Sequence, residues 1–422
     1  MFPVDPSQNA RGRLLPPSVP FRFFATAMVF QIVAWAVLAV YAGDTVGGIS
    51  WGVLAALHLI TLGVLAMTAI GATYQLLPVA TKRPVRSPLL CTLTYWLLTP
   101  GVLLLIGGLL GGQGMVAALG GALAGAALSL YLILLVDNLL NVKEMPVVIV
   151  HIWGAAAALL ATIGLGIALA LNLGLGYLPD RAGLLQAHAL LATYGFMGMM
   201  SMGLSHVLIP MFALAPAAET RPNLIGAGLA MAALLLAGLG SVLHLDALVA
   251  LAALLGLAVA AIYGRAMVGI VKKRMRKQLG FFFTHLRLAW ILLPASLAAG
   301  LLALAGLLGE RGPLIFGFLL VFGWLLTFLT GTLSRIMPFL ASMHTVSQSG
   351  RTPLLSALMA ERPLRIQFGL HLGALLLVLG GLAGGWADVI RLGALLGIGG
   401  AVALAGYGIE LWRRCLAHIR SA

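Results

Sequence analysis

The stretch 195–212, GFMGMMSMGLSHVLIPMF, decides the fold, because its pattern occurs twice more in the chain. Residues 63–80 read GVLAMTAIGATYQLLPVA and residues 323–340 read GWLLTFLTGTLSRIMPFL. In each a glycine is followed eight residues later by a second and seven after that by a proline: Gly63/Gly71/Pro78, Gly195/Gly203/Pro210 and Gly323/Gly331/Pro338. Self-similarity at a long fixed period marks repeated architecture. The copies start 132 and then 128 positions apart, which at one span per ~30 residues makes each repeat four helices long. Glycines at this spacing let helix backbones approach closely, and a proline inside a membrane helix is tolerated where neighbours satisfy the freed carbonyl.

Composition says which solvent surrounds these helices. Of 422 residues, 61% are apolar and only 9% charged, with a mean hydropathy of +1.08. So few polar groups cannot cover a water-facing surface of that size, and lipid is the solvent. Twelve apolar stretches, at about 23–43, 50–80, 88–111, 114–136, 147–172, 183–212, 223–243, 247–271, 284–308, 313–340, 366–384 and 389–413, are long enough to cross a bilayer. The expected fold is therefore all-α: a polytopic membrane protein of twelve transmembrane helices in three pseudo-symmetric four-helix units. The units run about 23–140, 146–275 and 281–415 within one membrane domain, 23–415, flanked by segments 1–22 and 416–422.

The net charge of +14 is a topology signal rather than a nucleic-acid footprint. With the N-terminus cytoplasmic, the inner segments collect Arg11, Arg13, Arg22, Lys82, Arg83, Arg86, Lys143, Arg221, the run KKRMRK at 272–277, Arg351, Arg362, Arg365, Arg413, Arg414 and Arg420. The outer loops keep Arg181, Arg311 and Arg391. This asymmetry is the positive-inside rule, which puts both termini in the cytoplasm. The first apolar run is of full membrane length and follows a Pro-rich, Arg-bearing stretch, so it reads as the first helix and not as a cleaved leader. Cys91 and Cys415 both fall near the cytoplasmic side, where thiols stay reduced. No Cys-x-x-Cys-His is present, so haem attached covalently through that motif is excluded.

Ionisable residues inside membrane helices are costly, and each is a functional hypothesis. His58 precedes the second glycine of its repeat by thirteen residues and His188 precedes its own by fifteen, which places both about two turns inside the outer face. Their faces differ by about 200° in the frame of the repeat, as two ligands to one plate-like cofactor would, and as two unrelated histidines equally would by chance. His188 and His206 lie about five turns apart on one face, with Gly195, Met199 and Met202 between them. Methionine is an axial ligand to haem iron and a soft ligand to copper, though at helical spacing it more often simply packs. At the inner side His151, His206 and His285 share a depth and form a candidate copper or zinc site without a fixed spacing to support it. Snorkelling or helix–helix hydrogen bonding also accounts for His206, whose equivalents are Tyr74 and Ser334.

Twelve helices in three units, a histidine near the outer end of the second ahead of its Gly/Pro pattern (HLITLGVLAMTAIGATYQLLPVA), and AHALLATYGFMGMMSMGLSHVLIPMF in the sixth resemble the haem-copper oxidase subunit I superfamily. Within it the chain looks most like the small subunit-I-like proteins of bacterial genomes and the related NnrS family, associated with haem, copper and nitric oxide resistance. The resemblance implies a bacterial inner-membrane location, haem b and copper as cofactors, and a low-spin haem ligand at His58, with a further metal ligand at His188. It also implies an electron-donor protein or quinol as partner. True oxidases place two histidines in the outer half of the tenth helix and a pair on the seventh; GPLIFGFLLVFGWLLTFLTG has none and LIGAGLAMAALLLAGLGSVLH only the terminal His244. The expectation is thus a haem-binding relative, acting in redox, nitric oxide or oxygen handling, and not a conventional terminal oxidase. A transporter or assembly factor for a metal or haem stays open beside it, as does a structural subunit that docks a partner or a second copy of itself.

Overall fold

The computed structural model describes residues 15–421 apart from 141, 143 and 350–352. Arg11, Arg13, Lys143 and Arg351, together with most of the expected 1–22 segment, lie outside the described residues. Among the described residues, twelve helices are long and apolar enough to span a membrane: α1 (Ser18–Val40), α2 (Trp51–Ala80), α3 (Pro88–Leu110), α4 (Gly114–Leu139), α5 (Pro146–Leu175), α6 (Ala182–Ala213), α7 (Thr220–Val242), α8 (Asp246–Lys272), α9 (Phe282–Leu304), α10 (Gly309–Thr345), α11 (Glu361–Gly384) and α12 (Ala387–Arg420). Local chemistry sets their ends. Ser50 and Ser87 accept from the amides of Val53 and Leu90 to cap α2 and α3. Pro88 and Pro146 open α3 and α5, where a missing N–H costs nothing. Gly176 and Gly385 end α5 and α11 at positive φ, in the left-handed region that a Cβ disfavours.

Three helices form the centre. In their most apolar windows α2, α6 and α10 are 72%, 78% and 72% buried, against 22–56% for the other nine. The nine form the surround, with α3 on α4, α4 on α5, α7 on α8, α11 on α12, and α12 closing onto α1. Leu93, Leu119, Leu160, Leu235 and Ile291 remain exposed on this outer wall, as a lipid-facing surface requires.

Each central helix carries a π-helical segment: Leu59–Ala66, Leu191–Gly198 and Leu319–Leu325. Their first residues are 132 and 128 apart, the spacing of the glycine pattern, and the three segments touch one another pairwise. The second glycine of each pattern is where a central helix meets its neighbour. A Cβ at Gly71 would lie 2.8 Å from Phe23 Cβ of α1, at Gly203 2.8 Å from His151 Cβ of α5, and at Gly331 2.5 Å from His285 Cβ of α9. Hydrogen bonds between helices complete the lock: Thr73 Oγ1 to Tyr131 Oη at 3.0 Å, Tyr74 Oη to Thr94 Oγ1 at 2.9 Å, and Tyr407 Oη donating to Ser334 O at 2.6 Å.

Substitution at these glycines is expected to push the helices apart. Gly331→Ala should cost about 1–3 kcal/mol through overpacking, read as a lowered thermal midpoint in detergent. Gly380→Ala, where nothing lies within 4 Å, should leave the midpoint unchanged or raise it slightly.

Candidate functional site

The helices enclose a cavity of about 560 Å³ between α2, α3, α4, α5 and α6, within the ~300–1,000 Å³ typical of small-molecule and cofactor sites. His58 from α2 and His188 from α6 both line it. Each comes shortly before a π segment, where i→i+5 bonding admits an extra residue and turns the following side chains to a new face.

Both imidazoles are oriented by backbone carbonyls. His58 Nδ1 lies 2.9 Å from Leu54 O and His188 Nδ1 lies 3.2 Å from Thr162 O. A carbonyl only accepts, so in each ring Nδ1 carries the proton and Nε2 keeps its lone pair. Neither Nε2 takes part in a hydrogen bond among the described residues. A ring held through Nδ1–H by a backbone carbonyl is the usual support of a metal-bound histidine. Small residues give the cavity its width: Gly121, Ala124 and Gly125 on α4, and Gly166 and Ala170 on α5. A Cβ at Gly166 would lie 2.9 Å from His188 Cε1 and displace the ring.

The mouth lies at the N-terminal ends of α2 and α6, lined by Ile49, Ser50, Trp51 and Arg181. Arg181 makes no ion pair among the described residues. Its neighbour Asp180 does: Oδ2 is 2.5 Å from His244 Nε2 and Oδ1 accepts from the Ala182 amide at 3.0 Å. The pair ties the start of α6 to the α7–α8 turn.

Met199 and Met202 are not in this cavity. They line a second one, of about 340 Å³, enclosed by α6 to α10, with Tyr194, whose hydroxyl is 2.9 Å from Ser296 Oγ. The count of turns that put them on one face with His188 assumes regular α-helix. The π segment Leu191–Gly198 intervenes and breaks it.

The inner histidine trio is likewise not assembled. His151 and His206 are together, with ring centroids 5.7 Å apart. His285 is on α9, its Nε2 2.7 Å from Gln367 Oε1 of α11 and its ring 4.8 Å from that of Phe368. Equal depth in the membrane does not make neighbours of side chains on different sides of a ring of helices, and no group of three His, Cys, Asp or Glu able to hold a metal occurs among the described residues.

From sequence, Arg181 is legible only as an outer-loop charge. The signal that could have found it is its place two helical turns before His188. The burial of Arg335 (4% exposed), packed 5.2 Å over the Phe212 ring, is equally invisible in the residue pattern.

No protein-family model and no curated protein matches the sequence. Among solved structures, a cryo-EM structure of a haem-copper terminal oxidase dimer is similar, with a TM-score of 0.66 over 96% of this chain and 84% of that chain, at 11% identity. The chain's fold is similar to that of this haem-copper terminal oxidase. At that identity the likeness is one of fold, and the chemistry has to be argued from the residues.

The mouth gives a pH test. The hydrogen bond from His244, and after it the Ala182 amide, hold the Asp180 carboxyl below its ordinary value. A carboxyl depressed on folding stabilises the fold above its unfolded value and stops doing so as pH falls through its folded one. The thermal midpoint of the native chain should exceed that of Asp180→Asn at about pH 6, and the gap should close as pH falls below ~4.

Proposed function

We propose that the α2–α6 cavity holds a b-type haem, which His58 Nε2 and His188 Nε2 would hold, and that the protein carries electrons within the membrane. The observation that carries this is the pair of imidazoles lining one cavity, each fixed through Nδ1 by a backbone carbonyl, each with a free Nε2. The residues fit such a group in three further respects. The walls are mostly apolar, with room left at Gly121, Ala124, Gly125, Gly166 and Ala170; the volume is that of a cofactor site; and the cation at the mouth, Arg181, is placed to meet the carboxylates of a macrocycle whose body is in the apolar interior.

Haem bound there would supply one-electron redox chemistry. The chain's own contribution is orientation and exclusion. Leu54 O and Thr162 O set the ring tautomers, and Gly166 leaves room for the His188 ring against α5. Leu65, Leu105, Leu128, Leu159 and Phe196 keep water from the site. With His58 and His188 both available to hold it, such a group would serve electron transfer rather than nitric oxide or oxygen binding. The absence of histidine from α7 and from residues 312–331 of α10 points the same way, since copper-dependent oxygen reduction would need ligands there.

We further infer that the chain is a threefold repeat with units about 23–140, 146–275 and 281–415, set in a bacterial inner membrane with both termini cytoplasmic. The π segments and the close glycine contacts at one spacing support the repeat. The skewed Lys and Arg distribution supports the orientation. A quinol or a donor protein would deliver the electrons.

Protein purified in detergent from haem-replete cells should show a Soret band and narrow reduced-state bands. His58→Ala and His188→Ala should each weaken haem binding by at least ~100-fold, as loss of a residue that holds the iron outweighs the ~10–100-fold cost of losing an outer-shell partner. Colourless native protein, or unchanged spectra in both variants, would overturn the proposal. Arg181→Ala should retain the band and weaken haem affinity by a few-fold.

A further inference from the structure

His151 and His206 lie at the far end of the same helices and take no part in the proposed haem site. His151 Nδ1 is 2.7 Å from Val147 O. Because that carbonyl only accepts, Nδ1 carries the proton and Nε2 is the free nitrogen. The His206 ring faces it at 5.7 Å between centroids and 45° between planes. No hydrogen bond to His206 occurs among the described residues, and its other ring neighbour, Tyr263, is edge-on at 6.3 Å with its hydroxyl given to Ser205 Oγ at 2.9 Å. Gly203 makes the approach possible, because any Cβ there would press on His151 Cβ.

The repeat shows what is unusual about this pair. Gly71 packs on Phe23 as Gly203 packs on His151, and Tyr74 follows Gly71 by three residues as His206 follows Gly203. Phe23 and Tyr74 are in edge contact, with centroids 6.0 Å apart. The scaffold thus brings two rings together at this point in the first unit with an ordinary aromatic pair. In the second unit the same two positions hold imidazoles, which cost more to bury and bring a lone pair that phenyl and phenol rings lack. In the third, the equivalent residues are His285 and Ser334, and His285 Nε2 is held by Gln367.

We propose that His151 and His206 bind a single Cu(I) ion through two ring nitrogens. With metal–nitrogen bonds of ~2.0–2.1 Å, the centroids of two imidazoles sharing one ion lie roughly 5–6.5 Å apart for bond angles from tetrahedral to linear. The observed 5.7 Å falls within that range. The donor set selects the ion. No third His, Cys, Asp or Glu joins the pair among the described residues, so an ion that demands four protein ligands, as structural zinc does, is poorly served. Monovalent copper accepts two nitrogen donors and brings one charge rather than two into an apolar surround.

The test is a titration of the purified full-length chain with Cu(I), under reducing conditions, against a chromophoric Cu(I) chelator. The native chain should take one Cu(I). The double variant His151→Phe/His206→Tyr installs the side chains that the first unit already packs at these positions, so it should keep the native elution volume and thermal midpoint. Its Cu(I) affinity should fall by at least ~100-fold. His285→Gln and His58→Ala/His188→Ala should retain the ion, which separates this site from the haem proposal. No Cu(I) uptake by the native chain, full uptake by the double variant, or loss of uptake only in the His58/His188 variant would each overturn the proposal.

Discussion

A helix in hydrocarbon gains little from hiding leucine against leucine, because the lipid is as apolar as the neighbour; it gains from close packing and from hydrogen bonds it cannot make with lipid. The contacts at Gly71, Gly203 and Gly331 supply both. By removing a side chain where α2, α6 and α10 cross α1, α5 and α9, they bring the central helices near enough for Tyr74, Tyr263 and Tyr407 to reach partners on α3, α6 and α10. They also fix the depth of everything else on those helices. The π segments each begin twelve residues before these glycines and touch one another, so the centre of the molecule is a knot of non-α backbone that sets how the N-terminal halves of the three helices face relative to their C-terminal halves.

What lies between the central helices and the surround differs from sector to sector. Between α2 and α6 the space is wide, lined by leucine and isoleucine with glycine and alanine among them on α4 and α5, and by two imidazoles. Between α6 and α10 it is smaller and apolar, with Met199, Met202 and the Tyr194–Ser296 pair. Towards α1 and α12 aromatic side chains crowd the third sector: Phe318 stacks on Phe322 at 5.0 Å, Trp35 meets Phe322 at 4.9 Å, and a Cβ on Gly397 would overlap the Trp35 ring. One scaffold thus carries a wide cavity with two imidazoles, an apolar pocket and a plug. The difference comes from side-chain volume and from where the histidines fall, the backbone pattern being shared.

The twelve spans were legible in the sequence, as was the common level of His58 and His188, which line one cavity. Each rests on hydropathy or on a count of residues from a glycine, and both survive local distortion. Readings that required a helical face did not carry over. Met199 and Met202 are separated from His188 by a π segment that leaves no mark in the residue types, so a phase argument across it fails. His285 shares the depth of His151, but depth says nothing about position around the ring, and Gln367 engages it. Arg181 becomes readable only once the cavity shows what its charge would face.

The proposed function turns on His58 and His188 holding one macrocycle across the α2–α6 cavity that both line. A cryo-EM map of the purified protein tests this most directly. A planar density should bridge the two rings, with a strong central peak about 2 Å from each Nε2 and carboxylate arms directed at Arg181. Acyl-chain density in the cavity, or His58 and His188 closed onto packed side chains with no feature between them, would contradict it.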